Sequence, residues 1–162
     1  MMTLKTGVSL NLQYDNHTKR QSSSTPDPTD IQGLVYLAYP LVVHQTLRAR
    51  RFTTLARRRF PHAEVLPACD QFSSNRDWLR RWPDILPTLA AICVFTDEEG
   101  WVGAGVWIEV HNALARELPV YLLTANRVYP WARVEVIEPE TRNYRRYVQF
   151  HPTSSAAGNG HG

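Results

Sequence analysis

Short apolar runs alternate along the chain with longer segments in which apolar residues recur at helical spacing. The runs GLVYLAYP, AEVLPA, AAICVF and PVYLL predict buried strands, because each is short and predominantly apolar. AAICVF contains no polar residue and is typical of the central strand of a parallel sheet. VEVI, at residues 134–137, predicts a last strand.

Three segments between these strands predict helices. HQTLRARRFTTLARRRF predicts a helix with a basic outer face, because arginines separate its apolar positions Leu47, Phe52, Leu55, Ala56 and Phe60. DWLRRWPDILPTL predicts a helix with Asp77 at its N-cap and interruptions at Pro83 and Pro87. GVWIEVHNALAREL predicts a third helix.

Strands that alternate with helices predict an α/β fold. We expect a three-layer, Rossmann- or flavodoxin-like parallel sheet of about five strands with helices on both faces. Residues 34–150 form the predicted domain. Residues 1–33 predict a flexible leader, since 16–33 are rich in Ser, Thr and Pro, although TGVSLNLQY alternates weakly like an added strand. Residues 151–162 predict a disordered tail.

Composition and charge limit the function classes. Hydrophobic residues make up 43% and charged residues 20% of 162 residues, which is typical of one soluble domain. The net charge is only +3, but arginines cluster at residues 48–59 and 142–146, and such clusters attract anions. Because no nucleic-acid-binding motif accompanies them, we expect no specific nucleic-acid partner, whereas a phosphorylated small molecule stays open.

The chain has no apolar segment long enough for a membrane span and no secretory signal pattern. Cys69 and Cys93 lack the spacing of a metal site, and nothing implies disulfides, so a cytoplasmic location is predicted. His44 and His111 each stand alone without the spacing of metal ligands, so no metal site is expected.

The loops that follow the predicted parallel strands are the expected ligand-binding region. The most informative loop is TDEEGWVGAG, in which Gly103 and Gly105 directly precede the third helix. The first N–H groups of a helix have no intrahelical partner and its dipole favours negative charge, so an anion or a sugar hydroxyl could bind there.

Glu109 is the unusual residue of this helix. A helical side chain leans toward the N-terminus of its helix, so Glu109 should lie over Gly105, where the missing side chain leaves a gap. We expect the helix N-terminus to help keep this carboxylate ionised. One alternative is an acidic residue that stabilises the first turn and contacts only water. The apolar neighbours Trp107, Ile108 and Val110 favour a functional site, because an unpaired charge among them is costly.

Three stretches together resemble the nucleoside 2-deoxyribosyltransferase family, which includes the deoxynucleoside 5′-monophosphate N-glycosidases. They are VYLAYP, WPDILPTLAAICVF and DEEGWVGAGVWIEVHNALARELPVYLL, and they cover about residues 34–124. The resemblance implies that Glu109 attacks the anomeric carbon and forms a glycosyl-enzyme intermediate. It also implies that Tyr36 orients this carboxylate and that Asp84 assists protonation of the base. Cleavage of an N-glycosidic bond needs such groups, because positive charge develops on the sugar and negative charge on the base.

Two parts of the sequence depart from the family pattern. Tyr39 and Pro40 stand where the family has a glycine, and Tyr39 could fill that part of the pocket. Gly103 stands where the transferases have an aspartate that binds a sugar hydroxyl, and Asp97, Glu98 or Glu99 could substitute for it. The hydrolase branch lacks that aspartate too, which favours hydrolysis or a changed substrate over base transfer.

Two further substrate contacts are predicted. Trp101 could cover a base, and Arg48 or Arg51 could contact a 5′-phosphate. The family implies a homo-oligomer, on whose partner subunit the segment NYRRYVQF could dock.

The sequence thus predicts an N-glycosidase or glycosyl transferase that acts on a nucleoside or nucleotide without a cofactor. Two alternatives stay open. One is a catalytically inactive nucleotide-binding or sensing module on the same fold, and the other is a protein that binds a partner through its basic helix.

Overall fold

The structure, a computed structural model, describes residues 25–153. Its larger sheet contains β1 (Gly33–Ala38), β2 (Ala63–Pro67), β3 (Leu89–Val94), β5 (Val120–Leu123) and β6 (Val128–Pro130). The strand order is β2-β1-β3-β5-β6, with the first four strands parallel and β6 antiparallel to β5. The α/β class and the four parallel strands predicted from the apolar runs are confirmed.

Four α-helices connect these strands: α1 (Leu47–Arg59), α2 (Ala68–Gln71), α3 (Asn75–Ile85) and α4 (Ala104–Ala115). α1 buries Ala49, Phe52 and Ala56 and exposes most of its arginines, so the predicted basic outer face is confirmed. Leu47, at the start of the helix, is 75% exposed and does not belong to the buried face. The N-cap predicted at Asp77 is wrong. α3 begins at Asn75, and Ser74 is its N-cap. The Ser74 hydroxyl oxygen accepts a hydrogen bond from the Asp77 amide at 3.1 Å.

A smaller antiparallel sheet contains β4 (Trp101–Val102), β7 (Val134–Ile137) and β8 (Val148–Pro152) in the order β4-β8-β7. The segment Val134–Ile137 was expected in the main sheet, and that prediction is wrong. A parallel strand needs a crossover connection of about a dozen residues or more, usually a helix, and no helix lies between Leu123 and Val134 that could cross over the sheet. β6 takes the fifth position instead.

Part of the segment NYRRYVQF packs on its own chain, and its docking on a partner subunit stays a prediction. Phe150 is buried, with its ring centroid 5.1 Å from that of Trp131, and the Tyr147 amide donates to the Val102 carbonyl at 2.9 Å. His151 and Pro152 continue β8, so the predicted tail begins too early.

The N-terminal boundary also differs from the prediction. Ile31 is buried, and the Tyr121 hydroxyl donates to the Pro26 carbonyl at 2.6 Å, so this part of the predicted leader packs on the domain. The rest of the predicted leader, with TGVSLNLQY, and the tail beyond Thr153 lie outside the described residues.

The strand order reverses beside β1. The chain passes from β1 to β2 on one side and then returns to β3 on the other side of β1. Ligands of open α/β sheets bind at the carboxyl ends of strands next to such a reversal. The ends of β1 and β3 therefore form the expected binding region. Within residues 25–153, no helix is both long and apolar enough to cross a membrane.

Candidate functional site

Glu109 lies on α4 and is only 4% exposed. The Tyr36 hydroxyl on β1 donates to Glu109 Oε2 at 2.6 Å, and the Trp78 indole Nε1–H on α3 donates to the same oxygen at 2.7 Å. One strand and two helices thus meet at this carboxylate. The predicted contact between Tyr36 and Glu109 is present, and Glu109 is not the water-exposed first-turn residue of the alternative interpretation.

Burial controls the ionisation of Glu109. Loss of hydration raises the pKa of this carboxyl from 4.5 to about 7, while the hydrogen bonds from Tyr36 and Trp78 act in the opposite direction. Glu109 is therefore only partly ionised at neutral pH, although its place near the helix N-terminus favours the charged form. The pKa of Tyr36 is raised well above its ordinary value, chiefly by burial and then by the charge of Glu109, so Tyr36 remains a neutral donor.

A cavity of about 250 Å³ lies against this carboxyl group. The end of β1, the start of α3, the start of α4 and the segment around Tyr144 contribute its walls. Glu109, Tyr36 and Trp78 all line it. A buried carboxyl with a raised pKa at such a cavity is typical of a functional site.

Tyr39 forms part of the cavity wall, at the position where the resemblance implies a glycine in the nucleoside 2-deoxyribosyltransferases. Its ring stacks on Phe95 with the centroids 4.6 Å apart, and its hydroxyl donates to Cys69 Sγ at 2.8 Å. These contacts hold the ring in place. Tyr39 therefore fills space at the end of β1, as its position in the sequence suggested.

Gly103 and Gly105 both line the cavity but differ in their surroundings. A Cβ at Gly103 would lie 2.9 Å from the Tyr144 carbonyl oxygen, which also accepts a hydrogen bond from the Ala104 amide at 2.8 Å. The backbone around Tyr144 thus leaves no room for the aspartate found in the transferases. A Cβ at Gly105 would meet no heavy atom within 4 Å, in agreement with the predicted gap over this residue.

The surroundings of the two glycines predict different effects of alanine substitutions on the free energy of unfolding. Gly103→Ala should lower the free energy of unfolding by about 1–3 kcal/mol, because the new methyl group must displace the Tyr144 backbone. Gly105→Ala should leave it unchanged or raise it by about 0.5–1 kcal/mol, because alanine is favoured inside a helix. Urea denaturation of both variants tests this, and equal stabilities would contradict it. Gly105→Ala should also weaken ligand binding, since its methyl group projects into the gap.

Asp84 does not join the other predicted catalytic residues. It is exposed and does not line the cavity. Trp78 and Trp82 are one turn apart on the inner side of α3, and at 100° per residue Asp84 lies on a different face from both. The predicted convergence of Tyr36, Asp84 and Glu109 therefore holds only for Tyr36 and Glu109.

Three predicted substrate-binding residues stabilise the loop after β3 and do not line the cavity. Arg48 Nε donates to the Thr96 carbonyl at 2.9 Å, and its Nη2 to the Asp97 carbonyl at 3.2 Å. Asp97 Oδ1 accepts from the amides of Glu99 and Trp101, each at 2.9 Å. Trp101 pairs with Gln149 in the smaller sheet. Hydrogen bonds and strand pairing within the protein therefore account for the positions of Arg48, Asp97 and Trp101.

Three other residues at the cavity were not predicted as site residues. Trp78 belongs to the predicted helix DWLRRWPDILPTL, and a partly buried indole N–H usually needs an acceptor. Tyr144 and Arg145 belong to NYRRYVQF, an aromatic and basic segment for which the sequence predicts a partner contact. The charge of Glu109 contributes, after burial, to the raised pKa of Tyr144, in keeping with their proximity.

Within residues 25–153, no group of three or more His, Cys, Asp or Glu side chains is placed to hold a metal ion. Comparisons with protein-family models, curated proteins and solved structures find no match to this chain.

Proposed function

We propose that this protein cleaves the N-glycosidic bond of a nucleoside or nucleotide, with Glu109 as the nucleophile. The observation that carries the proposal is the buried Glu109 carboxyl group, which lines a cavity and accepts a hydrogen bond from the Tyr36 hydroxyl at 2.6 Å. The resemblance to the nucleoside 2-deoxyribosyltransferases supports the same role for both residues. We also propose that the domain has the three-layer, Rossmann-like arrangement of that family, which the reversal of strand order beside β1 supports.

The proposed reaction has two steps. A carboxylate oxygen of Glu109 bonds to the anomeric carbon while the carbon–nitrogen bond breaks. The electron pair of that bond leaves with the base, which takes up a proton from solvent. Water then bonds to the anomeric carbon while the bond between that carbon and the Glu109 oxygen breaks. This step frees the sugar with a new hydroxyl group and restores the carboxylate, and the second proton of the water passes to solvent. A second base in place of water would give base transfer. Because Gly103 has no side chain that could bind a sugar hydroxyl, we favour hydrolysis over base transfer.

The ionised form of Glu109 is the nucleophile in this mechanism. With a pKa of about 7, the carboxyl is partly ionised at neutral pH, and its weak hydration increases the reactivity of the charged form. Tyr36 holds one oxygen without supplying a competing positive charge. The neutral tyrosine therefore orients the carboxylate and leaves it nucleophilic.

The second candidate is a nucleotide-binding or sensing module without turnover. The exposed position of Asp84 favours it, because the acid expected to protonate the base is missing from the cavity. Thermal-shift screening against nucleosides and nucleotides, followed by chromatographic detection of released base, separates the two candidates. Base release supports the enzyme, whereas stabilisation without release supports the sensing module.

The proposal includes a homo-oligomer in the cytoplasm. Leu41, Val42 and Leu47 are 55%, 48% and 75% exposed, and the first two line the cavity, so an apolar surface is available beside the site. The described cysteines, Cys69 and Cys93, are unpaired, which is usual in a reducing compartment.

A further inference from the structure

Two hydrogen-bond donors converge on one oxygen of Glu109. The Tyr36 hydroxyl and the Trp78 indole both reach Oε2, at 2.6 and 2.7 Å. Among the described residues, no hydrogen bond reaches Oε1. Oε1 is not fully buried, and Glu109 lines the cavity, so this oxygen is open to the cavity.

The two donors come from different elements. Tyr36 belongs to β1 and Trp78 to α3, whereas the acceptor belongs to α4. Rotation of the carboxyl group would break both hydrogen bonds at once, so together they fix its plane as well as its position. Both donors are neutral, so they stabilise the negative charge without forming an ion pair that would weaken the nucleophile.

Trp82 provides a comparison within the same helix. It lies one turn after Trp78, and its indole Nε1–H donates to Asn112 Oδ1 at 2.9 Å. The two indoles are stacked with their centroids 6.5 Å apart, but only Trp78 lines the cavity. Packing of α3 therefore needs both rings, whereas only the Trp78 N–H reaches the carboxyl group.

We propose that Trp78 is a positioning residue for Glu109, which fixes Oε2 together with Tyr36 so that Oε1 is the oxygen that reacts. The assignment of Oε1 as the reacting atom rests on the proposed function. The positioning of the carboxyl group by Trp78 is independent of the reaction and can be measured without a substrate.

Trp78→Phe and Trp82→Phe are the variants that test this proposal. Each removes one indole N–H and keeps an aromatic ring, but only Trp78→Phe removes a donor to Glu109. The titratable side chains that face the same cavity are Tyr36, Tyr39, His44, Tyr144 and Arg145, and neither variant replaces any of them. The Trp82 ring also packs on Tyr36, with the centroids 5.0 Å apart, and phenylalanine keeps an aromatic ring at this contact. Burial lowers the pKa of His44 below 6.5, so its titration lies on the acid side of that of Glu109.

The first readout is the titration of the Glu109 carboxyl by NMR of protein with ¹³C-labelled glutamate side chains, with the Glu109→Gln variant identifying the signal. Trp78→Phe should raise the pKa of Glu109 by about one unit, because a donor to the charged form is lost. Trp82→Phe should not change it. An unchanged pKa in Trp78→Phe, or an equal rise in Trp82→Phe, would overturn the positioning role.

The second readout is the pH profile of base release. Trp78→Phe should lower kcat/KM at neutral pH about 10–100-fold and move the rising limb of the profile to higher pH. Trp82→Phe should leave the limb where it is. If the wild type releases no base while the NMR titration shifts as expected, the proposed function fails and the positioning role stands. If base is released but the limb of Trp78→Phe does not move, the positioning role fails alone.

Discussion

Replacement of Glu109 by glutamine is expected to reduce base release by at least about 10³-fold. The amide oxygen can still accept hydrogen bonds from Tyr36 and Trp78, so the variant should fold with the same local geometry. It cannot form the glycosyl ester, because an amide is a poor nucleophile. The measurement is release of free base from the best substrate of the nucleoside and nucleotide panel, under single-turnover and steady-state conditions.

Asp84→Asn is the matched control for this loss. It makes the same carboxylate-to-amide change at an exposed residue outside the cavity, so its rate should stay within about twofold of the wild type. A large loss in Asp84→Asn would restore the acid role that the family resemblance implied. Retention of activity by Glu109→Gln would exclude Glu109 as the nucleophile.

The same Glu109→Gln variant should gain stability relative to the wild type as the pH rises. The folded pKa of Glu109, about 7, lies above the ordinary 4.5, so between these values the folded protein binds more protons than the unfolded chain. The stability that the wild type keeps while Glu109 is protonated is fully present below pH 4.5 and is lost as the pH rises to about 7. A shift of this size corresponds to about 3 kcal/mol.

Urea denaturation of both proteins at pH 4.5 and 8.5 measures the effect. The difference in the free energy of unfolding between Glu109→Gln and the wild type should increase by about 3 kcal/mol in favour of the variant. All other titrating groups are common to both proteins, so their effects cancel to first order. A difference that does not change with pH would show that Glu109 titrates normally. A gain in stability with a loss of activity would be typical of a functional residue that is costly to bury.

Much of the fold could be predicted from local patterns. The runs around Tyr36 and Cys93 are short, apolar and buried in parallel strands, as their lengths and composition indicated. The segment Val134–Ile137 was assigned to the wrong sheet because its alternation predicts a strand without predicting its neighbour. Strand pairing depends on contacts between residues distant in sequence, and these are not encoded in any single window.

The candidate site was predicted in part. Tyr36 and Glu109 are 73 residues apart and were placed together by family resemblance and by the rule for strand ends. Asp84 was misplaced because its spacing to AAICVF does not reveal which face of α3 turns inward. Arg48, Asp97 and Trp101 were plausible as polar or aromatic residues near strand ends, but the loop after β3 uses them for its own hydrogen bonds and strand pairing.

The sequence by itself determined the types and order of the main elements and the presence of a glutamate in an apolar helix, because these depend on residues close together in the chain. Only the tertiary structure decided that Trp78 shares Oε2 with Tyr36 and that the backbone of Tyr144 excludes a side chain at Gly103. It also decided the ionisation of Glu109. Hydration is lost only when separate elements pack around the carboxyl group, so its raised pKa is a property of the assembled domain.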